Sequence, residues 1–323
     1  MNALKEARSA MFDIVLTGVG ALSPFGGTDA FFRAIGPGSE KQRTTLNAAL
    51  PGAGLTDVLG VESPKLRIAR YLDPVSKNAI VALEEAMANA GVAAGDVAQD
   101  PYGYSIVLAA TRGPASTREK AYEQLHARKA KVLSGTLFSN VGFNIAAAMM
   151  AIAHGIKGPN LTVAGRSSLS LQLFRTARHL LKSRRAHTVF AGFSESEAQS
   201  KSFWQWACIF CLERPDRARQ RRAGAGLALA EIEPAIPQQQ AAFLDSKAVR
   251  LPAPIPQPLA PEVLAAAETV DLDPGASLGI APDYVPLIHA GRLKATGFGT
   301  ENGHIAFPAR TRNGLSLLAV ARA

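Results

Sequence analysis

The chain has 323 residues, 47% hydrophobic, 19% charged and 7% aromatic, with 35 Lys+Arg against 26 Asp+Glu and a formal net charge of +9. This apolar content offsets backbone entropy and excludes disorder for most of the chain, at a length that fits one large domain or two tightly joined halves. The 28 Gly keep no fixed period and only two Cys are present, which excludes a collagen-like or disulfide-framework protein.

Met1 to Ala10 carries Lys5, Glu6 and Arg8 and no apolar stretch of signal-peptide length. No apolar run elsewhere reaches bilayer-spanning length, so a cytoplasmic protein without a membrane segment is expected. Ile14 to Gly20 is a short apolar run closed by glycines, as in a buried strand entering a turn. Tyr71 to Ala90 has apolar residues at helical spacing and stops at Gly91. Tyr104 to Ala110 is a second buried strand, and Ile145 to His154 is an Ala/Met-rich helix closed by Gly155.

Leu161 to Ala164 is a third strand, leading through Gly165 into a helix from about Ser168 to Ser183. His187 to Gly192 and Gly226 to Ile232 add two more. Strands alternating with helices predict an α/β layered fold whose mixed sheet is buried on both faces. Pro234 to Pro261 holds seven prolines and Gln238-Gln239-Gln240, so it is expected to be a linker without regular structure. His304 to Phe307 and Leu315 to Val320 close the chain as two strands joined through Asn313-Gly314, a hairpin signal.

Cys208 and Cys211 form a lone C-x-x-C inside an apolar run; with no second pair they are expected to be buried thiols, and no metal or cofactor is expected. Basic residues cluster at His126 to Lys131 (Arg128, Lys129, Lys131), at Lys182 to Arg185 (Arg184, Arg185) and from Arg214 to Arg222. Such patches attract an acidic protein or a polyanion, or simply keep the surface solvated. No aromatic interleaving or DNA-reading motif accompanies them, which argues against nucleic acid.

Several segments, in order, resemble the elongating β-ketoacyl-acyl carrier protein synthases of the thiolase fold. Val15-Leu16-Thr17-Gly18-Val19-Gly20-Ala21-Leu22-Ser23-Pro24-Phe25-Gly26 is similar to that family's V-V-T-G-x-G-x-x-S-P-x-G. Gly155-Ile156-Lys157-Gly158-Pro159-Asn160-Leu161-Thr162-Val163 resembles G-L-x-G-P-N-x-T-V, and Ala191-Gly192-Phe193-Ser194-Glu195 resembles A-G-G-x-E. Gly297-Phe298-Gly299-Thr300-Glu301-Asn302 resembles the G-F-G-G-x-N loop. The resemblance spans roughly residues 13 to 233 and 283 to 307. It implies an αβαβα fold with a complete N-terminal half (1–233), the Pro-rich linker (234–262) and a strongly shortened C-terminal half (263–323).

The departures bear on function. The family's nucleophilic cysteine lies seven residues past the Asn of G-P-N and twenty-four before the Ala of A-G-G, and both counts land on Ser167. A thiol ionises near neutral pH, whereas a serine needs an adjacent base, and none is obvious. The family's two second-half histidine segments, which stabilise an enolate, have no counterpart in the Pro-rich residues 234 to 282. His289 and His304 are the candidate replacements, with packing the simpler reading for His304. Gly165-Arg166-Ser167 lacks the closing Gly of a G-x-S-x-G elbow, Leu169 standing there.

A subgroup that this pattern resembles, the chain-length factors, lacks the cysteine and pairs with an active ketosynthase, completing its acyl tunnel. Channel shape of that kind discriminates by about 1–3 kcal/mol per methylene. The resemblance therefore implies a non-catalytic subunit of a type II polyketide, polyene or fatty-acid-like synthase. Its partners would be a catalytic ketosynthase and an acyl carrier protein, met directly or through that ketosynthase. Leu137, Phe138 and Phe143 are candidate tunnel-end plugs, with plain core packing as the competing reading. Phe298 falls at the family's gating phenylalanine, and Arg128, Lys129, Lys131, Arg184 and Arg185 are candidate carrier-docking residues. The alternatives are a Ser167-dependent acyltransferase or esterase, and a homodimeric carrier-binding scaffold.

Overall fold

The computed structural model describes residues 12–35, 56, 59–67, 72–127, 134–165, 168–199, 202–224, 226–232, 247–251, 268–271, 285–296, 304–311 and 314–322. Strand β1 (Ile14–Leu22) is buried along its whole length and runs towards helix α1 (Thr28–Ala34). Helix α2 (Pro74–Ala90) starts at Asp73, whose carboxylate accepts from Val75 N at 2.9 Å, and stops at Gly91 in the left-handed region. Short α3 (Ala94–Gln99) leads to buried β2 (Tyr104–Ala110), followed by α4 (Ala115–Ala127), α5 (Gly135–Ser139) and α6 (Ile145–His154). Strand β3 (Asn160–Ala164) precedes α7 (Leu169–Lys182). Then come β4 (Thr188–Gln199), β5 (Ser202–Glu213), α8 (Pro215–Gln220) and β6 (Leu227–Ile232). Strands β7 (Lys247–Leu251) and β8 (Glu268–Asp271), helix α9 (Val285–Thr296) and the hairpin β9 (His304–Thr311) and β10 (Gly314–Arg322) complete the described elements.

The strands form one mixed ten-stranded sheet in the order β3-β2-β4-β5-β1-β6-β10-β9-β7-β8. β2 pairs in parallel with β3 and β4, and the pairs from β4 through β8 are antiparallel. Helices α2 and α6 pack on one face of β2, β4 and β5, through Ala79, Leu83, Met150, Ile106 and Ile209. On the other face, Leu173 and Phe174 of α7 and Leu287 and Ile288 of α9 share a core with Phe193, Phe210, Phe307 and Leu318. One pair of helices, α2 and α6, and another, α7 and α9, therefore cover opposite faces of the sheet, as in the layered α/β fold expected. Among the described residues no helix is long and apolar enough to cross a membrane.

Two elements differ from the sequence reading. The run around Cys208 and Cys211 is a full strand, β5, pairing with both β4 and β1. Regular structure is not expected between Pro234 and Pro261, yet β7 falls there, in a proline-free window that pairs with β8 and β9. The prolines on either side do not interrupt its ladder, which is why composition over the wider stretch hides it.

At the end of α6, His154 is buried, and its Nε2 makes no hydrogen bond within the protein. Burial, reinforced by the Lys65 charge, pushes its pKa down to about 4. A histidine held neutral in the fold but titrating near 6.5 when unfolded contributes stability above pH 6.5 that is lost as pH falls towards 4. We expect this residue to account for up to about 3 kcal/mol of acid destabilisation across that window. Urea unfolding at pH 7 and pH 4.5 should show a larger loss for the wild type than for His154→Leu.

Candidate functional site

The turn between β3 and α7 carries the family's nucleophile position. Gly165 N donates to Ala110 O at 3.3 Å, holding the end of β3 against the end of β2. Ser168 is buried with φ of 57°, an unusual left-handed conformation for a non-glycine residue, and its carbonyl accepts from Gln172 N at 2.9 Å to begin α7. The sequence thus folds locally as strand, sharp turn and buried helix, with the positive end of a helix dipole facing the turn. Ser167 itself lies outside the described residues, as do Phe298, Arg128, Lys129 and Lys131.

Next to this turn, the buried Glu195 carboxylate organises the loop leaving β2. It accepts from Thr111 N, from Thr111 Oγ1 at 2.8 Å and from Arg112 N at 3.3 Å. A carboxylate satisfied by backbone N–H groups fixes loop geometry rather than serving as a free base. Helix α9 reaches the same end of the molecule, where Leu287 N donates to Ser170 Oγ at 3.4 Å. Two residues along, His289 is buried and stacks on Phe307 with ring centroids 5.8 Å apart, so it is packed as a core aromatic. His304 opens β9, as expected.

The plug candidates are not core residues of this chain. Phe138 is 66% exposed and Phe143 is 38% exposed, while Leu137 is half-buried. The reading of Phe138 and Phe143 as plain core fails because the helices around them cover only one side. Leu161 on β3 and Ile152 on α6 are also exposed, at 41% and 56%. Asn160 joins these elements, its Nδ2 donating to Ala147 O at 2.8 Å. Among the described residues β3 is an edge strand, exposed at both ends.

Arg184 and Arg185 are exposed just past the end of α7. The 14 residues of α7 place them about 20 Å from the Ser168 turn. The structure therefore does not bring these basic residues to the nucleophile position. They adjoin α8 instead, where Arg214 Nη1 donates to Leu181 O at 3.1 Å. A buried network lies at this end: Glu213 accepts from Thr17 Oγ1 at 2.8 Å, Thr188 Oγ1 at 3.0 Å and Arg221 Nη2 at 2.7 Å. Sequence reasoning missed this network, in which Thr17 and its partner Glu213 lie 196 residues apart.

Cys208 and Cys211 are free, and burial pushes both thiols up. They pack into cores on opposite faces of β5, so they cannot grip one ion. Among the described residues no group of three His, Cys, Asp or Glu could hold a metal.

Glu195→Gln keeps the side-chain shape but turns a donor towards one of the two N–H groups, that of Thr111 or that of Arg112. We expect a loss of about 1–3 kcal/mol in unfolding free energy, with faster hydrogen exchange at the amides of Thr111 and Arg112.

Residues 39–231, more than half the chain, match the family model of the beta-ketoacyl synthase N-terminal domain; the glycine-rich β1 segment lies before that span. The fold is similar to that of the ishigamide ketosynthase/chain length factor, with a TM-score of 0.60 at 20% identity over 95% of this chain and 98% of that one. It is similar to the AntDE:AntF structure, a type II PKS acyl-carrier protein in complex with its ketosynthase bound to the hexaketide. There the TM-score is 0.61 at 13% identity, over 96% and 99% of the two chains. A beta-ketoacyl synthase from Burkholderia phymatum STM815 gives 0.56 at 13% identity, over 96% and 99%. No curated protein matches the sequence.

Proposed function

The chain belongs to the β-ketoacyl synthase family, and we propose that within it this protein is a non-catalytic, chain-length-factor-like subunit that pairs with an active ketosynthase. The observation that carries this reading is Ser167 at the position of the nucleophilic cysteine, together with the missing histidine segments. A serine hydroxyl without a base is a poor acyl acceptor, whereas shaping a tunnel needs only side-chain volume.

Two further observations support it. One of the similar structures is a ketosynthase/chain length factor, and another holds a ketosynthase with its carrier protein. The open edge of β3 is the second, because unpaired strand edges bordered by exposed apolar side chains are what a second subunit covers. An acidic carrier protein is the further partner, reached directly or through the ketosynthase. The basic end beyond α7 is remote from the Ser168 turn, so a carrier docked there would not serve that turn.

A second reading is favoured by the left-handed Ser168 at the start of α7: a strand–turn–helix of this form also presents nucleophiles in acyl-transfer enzymes. The two readings separate cleanly. Incubated with an acyl thioester, the purified chain should remain unlabelled, and Ser167→Ala should leave the product profile of the reconstituted synthase unchanged. An acyl adduct on Ser167 that disappears in the variant would establish the enzyme reading instead.

Co-expression with the ketosynthase encoded nearest to this chain should give a one-to-one heterodimer by native mass spectrometry. Leu161→Arg, which puts a charge on the open strand edge, should shift the species to separate subunits. A stable homodimer that ignores the ketosynthase would favour the scaffold reading.

A further inference from the structure

We propose that Phe143 is the anchor by which this chain grips its partner subunit, and that Gly113 and Arg118 are the residues that position it. This inference rests on the pairing reading above and adds the residue that dominates the contact.

Two groups support Phe143. One is Gly113, with φ of 57°; a Cβ there would come within 3.0 Å of Phe143 Cδ1 and 3.3 Å of Cε1, so the ring lies close to bare backbone. Gly113 is itself fixed by the two preceding residues, whose N–H groups donate to Glu195. The other is Arg118, whose guanidinium carbon stands 5.0 Å from the ring centroid, within cation–π range. Arg118 Nη1 is buried and makes no hydrogen bond within the protein. Burying a guanidinium nitrogen without an acceptor is unfavourable, and its ring contact is the compensation the structure offers.

The mount does not bury the ring: Phe143 stays 38% exposed. A rigidly held aromatic with a free edge loses little conformational freedom on binding, the property that makes such residues dominate interfaces. Phe138 is more exposed but rides on the five-residue α5 without a comparable support. Exposed area alone would therefore rank the two in the wrong order.

The place of the anchor indicates its occupant. Phe143 lies just before α6, and α6 is tied to β3 through Asn160 and Ala147. β3 gives one side to β2, and among the described residues no strand pairs with its other side. A partner subunit that adds a strand to β3 would also reach Phe143, Leu161 and Ile152, which together supply apolar contact beside the new ladder. The occupant is the ketosynthase subunit, presenting a strand to β3 and an apolar socket to Phe143.

The test is the dissociation constant of the full-length complex with the ketosynthase encoded nearest, read by native mass spectrometry over a dilution series. Phe143→Ala should weaken pairing at least 30-fold, and Phe138→Ala less than 5-fold. Arg118→Ala should weaken it about 10-fold, with Arg118→Lys recovering most of that loss because a cation remains over the ring. Gly113→Ala, which keeps the ring but displaces it, should weaken pairing about 10-fold; a melting curve of the free chain separates this from unfolding. Phe143→Ala pairing as tightly as wild type would overturn the anchor while leaving the pairing reading intact. A wild-type chain that never binds the ketosynthase would overturn both.

Discussion

Strand β1 is the seam on which the rest of the structure depends. It pairs with β5 along most of its length and with β6 at its start, and so joins the two parts of the sheet. It can also carry α2 at very short range because Gly18 and Gly20 have no side chains. A Cβ on Gly20 would stand 2.1 Å from Ala82 O, and one on Gly18 would stand 2.6 Å from Ala86 O. Asn89 Nδ2 donates to Val19 O at 2.6 Å across the same contact. Glu85 of α2 accepts from Ala21 N at 3.3 Å and Thr28 N at 3.0 Å, which fixes the entry to α1. The alternating glycines in the sequence thus have a packing cause, and without that approach α2 could not cover β5 and β4.

From this seam the two ends of the strands acquire different characters. At the start of β4 the buried Glu213–Arg221 pair also engages Thr17, Thr188 and the carbonyls of Ala90 and Gly91. A buried ion pair is tolerable only when its remaining donors are satisfied, and here they are. Arg221 and Arg214 also neutralise the negative ends of α2 and α7, so positive charge gathers here for structural reasons before any partner is considered. At the opposite end, Glu195 accepts from the backbone N–H groups of Thr111 and Arg112. The site end is thus fixed by a carboxylate that holds a loop, and the basic end by arginines that hold helix ends, with the length of α7 between them.

Much of this framework was legible in the sequence. β1, α2, β2, α6, β3, α7, β4, β6 and the terminal hairpin follow from apolar runs with glycine stops. β5 escaped because the two cysteines drew its apolar run into a question about thiols. β7 escaped because prolines outside it dominated its neighbourhood. The site was legible only by position: counting along motifs reaches Ser167, but no periodicity tells an apolar residue facing solvent from one facing a core. Leu137, Phe138 and Phe143 look alike in a string, and their difference lies in Gly113 and Arg118, which belong to another loop and helix.

That difference bears on why a chain lacking the nucleophile would keep the surrounding construction. Ser168 retains a backbone conformation that is unfavourable for a side-chain-bearing residue by about 1–2 kcal/mol. In a working ketosynthase such a turn would present the reactive group. On the reading proposed here it has a different use: it ends β3 and turns the chain into α7, and α7 is the buried helix against which β2 and β4 are packed. The register of β3 beside β2 depends on that turn, and the position of the open edge depends on β3. The mount of Phe143 shares that frame, because α6 is tied to β3 through Asn160 and the Glu195-held loop follows the end of β2. On that reading the left-handed Ser168 serves the packing of β3, β2 and α7, and through β3 the geometry of pairing.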